Sequence, residues 1–107
     1  MKRSTGGATY AAGTHRAWTV PAGHKYELLE LAVWGDPSGA IVYALVGTFG
    51  GVVIIVDEQD ATPVGRYSWR SSWDALCFNT GDTLDVAAAA GAGSWSYVVS
   101  YIDVDEA

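Results

Sequence analysis

The sequence predicts an all-β fold, a single-domain β-sandwich of antiparallel strands, and three observations support this. Short runs of Val, Ile, Leu, Tyr and Trp alternate with Gly, Pro, Asn and Asp from Trp18 to Val104. The runs recur at intervals of roughly 8–12 residues, as in sandwiches and barrels. No long stretch has the apolar period of a helix. About eight strands result, a number that suits the two four-stranded sheets of a jelly roll.

Turn residues set the strands of the first half. A short strand over residues 16–20 ends at Pro21-Ala22-Gly23, because Pro presets a turn and Gly accepts positive φ. A long strand follows over residues 25–34. Residues 41–48 and 52–57 form a compact apolar hairpin across Phe49-Gly50-Gly51.

The long strand at 25–34 has two partly apolar faces. By strict alternation one face carries Glu27, Leu29, Leu31 and Val33, and the other carries Tyr26, Leu28, Glu30, Ala32 and Trp34. We therefore expect a central strand, with one face on the core and the other against a partner or the N-terminal segment.

The second half supplies four more strands, at residues 66–70, 75–78, 83–90 and 95–104. In the third of these, Leu84, Val86 and Ala88 are predicted to face inward and Asp85 outward. The last strand is predicted to place four large residues on one face: Trp95, Tyr97, Val99 and Tyr101. Cys77, the lone cysteine, lies in an apolar run and is expected to be a small buried hydrophobe.

Charge divides the chain into a flexible basic N-terminal arm, residues 1–14, and a sandwich domain, residues 15–107. Residues 1–26 carry four basic side chains and no acid, whereas the remainder carries two Arg against twelve carboxylates. An acidic body repels phosphate, so we expect no nucleic-acid partner. The arm suggests docking onto an acidic partner or a neighbouring copy, with improved solubility as the alternative.

The sequence also gives no sign of a membrane segment. No window approaches the roughly 18 apolar residues of a membrane helix, and the N-terminus lacks the apolar centre of a signal peptide. We expect a soluble protein with no membrane partner.

Neither a metal site nor a cofactor is predicted. His15 and His24 have no ligand neighbour at metal spacing and are expected to be solvated turn residues. Asp57, Glu58 and Asp60 could attract calcium, but they lack the spacing of an EF-hand, so a solvated hairpin tip is preferred.

No catalytic set is recognisable, and we expect no enzymatic activity. A glycosidase pair would have to come from five carboxylates: Glu27, Glu30, Asp74, Asp82 and Asp85. Nothing in the sequence singles out two of them, and alternation places Glu27 and Glu30 on opposite faces. There is no Gly-x-Ser-x-Gly elbow and no phosphate-binding glycine loop.

The aromatic residues are the best site candidates, because solvent-facing Trp and Tyr stack on sugars or anchor protein interfaces. Small polar residues flank four of the tryptophans: Trp18, Trp69, Trp73 and Trp95. Some of these are expected near the surface. We also expect three of the five Trp to lie in the core or between protomers.

Several segments together resemble the small jelly-roll decoration, or cement, proteins of tailed-bacteriophage heads. These are the basic arm, Trp18-Thr19-Val20-Pro21-Ala22-Gly23 before a long strand, and Thr80-Gly81-Asp82-Thr83-Leu84 before the penultimate strand. The resemblance covers roughly residues 15–104. It implies a trimer on the outer capsid surface of a virion, made in the host cytoplasm, that bridges subunits of the major capsid protein without catalysis.

Two sets of residues follow for this hypothesis. The arm would bind the shell through Lys2, Arg3, Tyr10 and Arg16, and copies would associate through Trp18, Trp69, Trp95, Tyr97 and Tyr101. The alternative is a carbohydrate-binding or receptor-binding module with Trp69 or Trp73 as its platform. A small glycosidase or cupin-like enzyme would need a carboxylate pair or a histidine cluster, and neither is visible.

Overall fold

The computed structural model describes residues 2–6, 10–11, 13–35, 43–59, 66–70, 76–88 and 94–104. All regular elements in these ranges are strands, so the predicted all-β class is confirmed. In chain order they are β1 (Lys2–Gly6), β2 (Tyr10–Ala11), β3 (Gly13–Thr19), β4 (Tyr26–Gly35), β5 (Tyr43–Phe49), β6 (Val52–Gln59), β7 (Arg66–Arg70), β8 (Leu76–Phe78), β9 (Thr83–Ala88) and β10 (Ser94–Asp103).

The strands form two antiparallel sheets. Sheet A has the order β1-β10-β4-β7, with β2 also paired to β10 and β8 to β4, and sheet B has the order β3-β9-β5-β6. The long strands pair as nested hairpins: β1 with β10, β3 with β9, β4 with β7, and β5 with β6. A nested hairpin rolled into two sheets is a jelly roll, so the predicted architecture is confirmed.

The N-terminal segment supplies the first strand of this roll. β1 pairs along its whole length with Val98–Ile102 of β10, which makes it the outermost strand of sheet A. The boundary drawn at residue 14 falls inside β3. Gly6 allows β1 to lie close to β10, because a Cβ at this position would collide with the carbonyl oxygen of Tyr97. Its φ of 107° also disfavours other residues.

A β-bulge in β4 changes which residues face the core. Ser100 pairs with Glu30 and Tyr101 pairs with Leu28, so Leu29 is the extra residue. Leu28 and Leu31 are consequently both buried. The prediction of two constant faces is wrong, because one inserted residue exchanges the faces. Glu27 and Glu30 therefore share the outer face.

The core lies between the sheets and is rich in aromatic rings. The predicted inward face of β9 is confirmed, since Leu84, Val86 and Ala88 are buried. The four large residues predicted to share one face of β10 are also buried together. The Trp18 ring meets the rings of Phe78 and Tyr26 edge-on, at centroid distances of 4.7 and 5.1 Å. Such edge-to-face contacts add to the stabilisation from buried area.

Cys77 lies on the surface, so the prediction of a buried thiol is wrong. β8 pairs with β4 so that Phe78 lies opposite Tyr26 and Cys77 lies opposite Glu27. Phe78 is buried and Leu76 packs on the core. Alternation along the strand therefore turns the residue between them outward.

Candidate functional site

Most of the aromatic residues predicted for self-association fill the core of the chain itself. Trp95 and Tyr97 are each 1 % exposed, and Trp18 and Tyr101 are each 8 % exposed. Trp69 lies opposite Leu31 and packs partly buried against the core. An interface role thus stays an expectation for Trp69 alone, and Trp73 lies outside the described residues.

The predicted arm residues lie on different strands. The Arg3 guanidinium on β1 lies 3.7 Å from the buried carboxylate of Asp103, and Lys2 pairs through its backbone with Ile102. Tyr10 pairs through its backbone with Trp95. Arg16 lies on β3 and makes an ion pair of 3.0 Å with Asp85, whose hydrogen bond and charge raise the pKa of Arg16.

The prediction of solvated turn histidines is wrong for His15, which lies in β3, whereas His24 lies in the first turn but is partly buried. His15 Nδ1 lies 2.8 Å from the Tyr97 hydroxyl, between the two sheets. His24 Nδ1 lies 2.8 Å from Asp103 Oδ2. Arg3, His24 and Asp103 thus connect the first strand, the first turn and the last strand. No local sequence signal indicates either contact, because the partners lie 82 and 79 residues away along the chain.

One end of the sandwich is held by Asp82. Its carboxylate accepts the backbone N–H groups of Gly50, at 3.0 Å, and Asn79, at 2.9 Å. The backbone N–H of Val20 donates to the carbonyl of Asp82 at 2.9 Å. These bonds fix the tip of the β5–β6 hairpin, where Gly50 and Gly51 take φ values of 57° and 84°.

The most unusual surface is the start of β6, which we call the β6 edge (Val52–Ile55). Its four β-branched side chains are between 47 and 66 % exposed. β6 is the last strand of sheet B, and no other described strand pairs with its outer side. The predicted hairpin is confirmed, but its apolar sequence gave no sign that this half lies on the surface.

The other outer strands are polar by comparison. β1 has the sequence KRSTG, β3 carries Arg16, and β7 carries Arg70. Charged residues on an outer strand discourage pairing with another chain. Among the described strands, the β6 edge is the one with four consecutive exposed aliphatic residues.

β1 and the β6 edge lie at opposite margins of the sandwich. His15 of β3 contacts Tyr97 of β10, which places β3 under the margin where β1 lies. β5 lies two strands from β3, across β9, and Phe49 of β5 contacts Phe78 of β8, which pairs with β4 on the side away from β10. β6 is the next strand outward from β5.

A second surface feature lies on the outer face of sheet A. A groove of about 400 Å³ is lined by Glu30, Leu31, Ala32, Ser68, Trp69, Arg70, Val98 and Ser100. Glu30 and Arg70 form an exposed ion pair of 3.1 Å across it. Trp34, two residues from Ala32 on the same strand, is 40 % exposed. Sequence reasoning missed Trp34, because its flanking residues are apolar or glycine.

The described carboxylates do not converge into a catalytic pair. Asp82 accepts backbone N–H groups, Asp85 pairs with Arg16, and Glu30 pairs with Arg70. Glu27 and Glu30 share an open face rather than the dry pocket that a general acid needs. Among the described residues, no three of His, Cys, Asp and Glu are grouped to hold a metal ion. Nor does this part of the chain contain a helix suited to crossing a membrane.

Comparison with known proteins shows the fold. No family model matches the chain, and no curated protein matches it. A chain of the T13 IBDV viral particle is similar in structure, with a TM-score of 0.55, 11 % identity, and coverage of 96 % of this chain and 31 % of that chain. PirA is similar with a TM-score of 0.50, 9 % identity, and coverage of 95 % and 92 %.

The chain thus spans about a third of the viral particle chain and nearly all of PirA. At these identities the likeness shows a common β-sandwich fold. This likeness agrees with the nested strand order of the two sheets. A sandwich of this kind is also present in the viral particle chain.

Proposed function

We propose that this chain is a non-enzymatic structural protein of a virion, which binds the outer surface of the capsid and bridges major capsid protein subunits. The observation that supports this most strongly is the pair of unlike outer strands at opposite margins. One carries Lys2 and Arg3, and the other carries the exposed apolar β6 edge. A bridging protein needs two separate contact surfaces.

The two strands suit different contacts. Burial of apolar area at the β6 edge contributes affinity, at roughly 25 cal/mol for each Å² removed from water. The cationic strand favours an acidic surface and contributes mainly to the rate of association. The likeness to a viral particle chain supports a capsid setting for a sandwich with such edges.

Stabilisation of the shell would follow from mass action. A protein that binds only the assembled lattice stabilises it increasingly as its concentration exceeds the dissociation constant. An oligomer that contacts several capsid subunits at once gains further avidity. The resemblance to decoration proteins implies a trimer, which we include in the proposal.

The test is binding of the purified chain to capsids of the virus that encodes it. Capsids lacking the chain are mixed with it and sedimented, and bound copies are counted against added concentration. We expect saturable binding that weakens as salt increases and weakens further in Lys2→Ala. Failure of the wild-type chain to sediment with intact capsids contradicts the proposal.

A carbohydrate-binding module is the second candidate, and Trp34 is the observation that favours it. Trp34 is exposed on the strand whose Ala32 lines the groove, and the groove carries a carboxylate and a guanidinium that can hydrogen-bond sugar hydroxyl groups. Titration with a panel of soluble oligosaccharides, followed by Trp fluorescence, tests this function. A saturable response that Trp34→Ala abolishes supports it, and an unchanged spectrum with every sugar contradicts it.

A further inference from the structure

The β6 edge lacks the features by which outer strands avoid pairing. Val52–Ile55 contain no Lys, no Pro and no charge, and their side chains are exposed on both faces of the strand. The bulge of β6 lies beyond them, at Val56, because Leu45 pairs with Asp57 and Val46 with Ile55. A regular apolar outer strand of this kind is a template for another strand.

We infer that the β6 edge pairs with the β6 edge of a second copy, antiparallel, about a two-fold axis at Ile54. Sheet B of each copy then continues into the other as one eight-stranded sheet, four strands from each. A two-fold interface brings the same surface of both copies together, so each β6 edge would meet an identical β6 edge.

Geometry restricts the register. In an antiparallel pair, side chains directly opposite each other point to the same face. Under a two-fold axis, each residue must therefore lie opposite one that is an even number of positions away. Centring on Ile54 places Ile54 opposite Ile54, Val53 opposite Ile55 and Val52 opposite Val56. The pairs among Val53, Ile54 and Ile55 join exposed β-branched aliphatic side chains, and the regular pairing ends where Val52 meets the bulge at Val56.

Charge and apolar contact together select this register over its neighbours. Centred on Ile54, Asp57 lies opposite Gly51 and Glu58 opposite Gly50, so the four carboxylates of the pair do not face each other. Centring on Ile55 would place Asp57 opposite Val53, a carboxylate against an apolar side chain. Centring on Val53 would leave Ile55 opposite Gly51 and lose its apolar partner.

The contact rests on the proposed function in one respect, because it covers the β6 edge that was proposed as a capsid contact. In the pair, the two β1 strands, one from each copy, are the contact surfaces left for the capsid. A two-fold contact doubles whatever unit it joins, whether that unit is one chain or the trimer of the proposed function, whose three-fold contact would use another surface. Self-association can be measured without a capsid, so either proposal can fail while the other stands.

The first experiment measures the mass of the purified full chain by size exclusion with light scattering. We expect Ile54→Lys to halve the mass of the wild-type protein, because it places two ammonium groups face to face at the axis. Val104→Lys is the matched control, since Val104 is 44 % exposed and Ile54 is 47 % exposed. An unchanged mass in Ile54→Lys, with a wild-type near-ultraviolet spectrum, overturns the inference.

The second experiment does not depend on tolerance of a charge. In a Cys77→Ser background, Ile54→Cys places two thiols opposite each other, within the range of Cα separations that a disulfide spans. Oxidised glutathione serves as the oxidant. We expect a cross-linked pair of chains at least tenfold faster than with Val104→Cys in the same background. Equal rates for the two variants overturn the inference.

Discussion

The two outer strands β1 and β6 differ in the opposite sense from what their compositions predict. β1, from a polar arm that was expected to be mobile, pairs along its whole length with β10. The β6 edge, from one of the most apolar runs of the chain, is exposed. Position in the roll, rather than hydropathy, decides which segment is covered.

The contrast is clearest within the β5–β6 hairpin. Leu45 and Val53 lie on neighbouring strands of sheet B, yet Leu45 is fully buried and Val53 is 66 % exposed. Leu45 faces sheet A, whereas Val53 lies opposite Thr48 on the other side of the strand pair. Their chemistry is nearly the same, so only packing separates them.

The largest expected effect is on the free energy of unfolding, when Leu45 and Val53 are each replaced by Ala in separate variants. Leu45→Ala should lower the free energy of unfolding by about 2–5 kcal/mol, because it opens a cavity in the core. Val53→Ala should change it by less than about 0.5 kcal/mol, as other surface substitutions do. Urea unfolding at low protein concentration, where copies are dissociated, measures both. Similar losses in the two variants would show that the β6 edge is covered within the chain.

A smaller effect is expected at the glycine that lets β1 approach its neighbour. Gly6→Ala should cost about 1–3 kcal/mol of strain at positive φ, and the added Cβ also meets the Tyr97 carbonyl oxygen. We therefore expect β1 to separate from β10, with faster amide hydrogen exchange in Val98–Ile102.

Gly23→Ala is the control for Gly6→Ala. Gly23 has a φ of 79°, and nothing lies near a Cβ placed there. Gly23→Ala should lower the free energy of unfolding through the same backbone strain, without faster amide hydrogen exchange in β10. Unchanged exchange in Gly6→Ala would mean that β1 does not depend on this close fit.

The sequence was sufficient to predict most of the fold, for physical reasons that can be traced to single elements. All eight strands predicted for residues 15–107 are present, and the two-residue period correctly placed Val86 inward and put Tyr97 on one face with Trp95. The bulge at Leu29 was missed, because one extra residue in a strand leaves no mark in hydropathy. The error also misassigned Glu30 to the face opposite Glu27.

The candidate site was less predictable than the fold. Burial of Trp95 and exposure of Ile54 depend on what the opposite sheet covers, and this follows from strand order, which a single sequence does not contain. Cys77 could have been placed outward, because Leu76 and Phe78 flank it on a three-residue strand. The ion pair of Arg16 with Asp85 joins residues 69 positions apart, so no local pattern indicates it.

The smallest expected effect is a loss of stability at alkaline pH, and it reports whether β1 is paired with β10. Burial raises the pKa of Tyr101, the charge of Tyr26 raises it further, and the guanidinium of Arg3 on β1 lowers it. A phenol whose pKa is raised by folding stabilises the native state below its unfolded pKa of about 10. This contribution is lost as pH rises through the folded value, so stability should fall in alkali and fall less in Tyr101→Phe.

Arg3→Ala removes the cation that lowers the pKa of Tyr101, so phenolate absorbance should appear at higher pH than in the wild type. Gly6→Ala should shift it in the same direction, because release of β1 carries Arg3 away. Subtracting the titration curve of the same protein carrying Tyr101→Phe leaves the absorbance change of the Tyr101 phenol alone. If Arg3→Ala shifts the titration and Gly6→Ala does not, β1 stays paired with β10 despite the added methyl group. The contrast between a paired β1 and an exposed β6 edge then depends on backbone pairing rather than on Gly6.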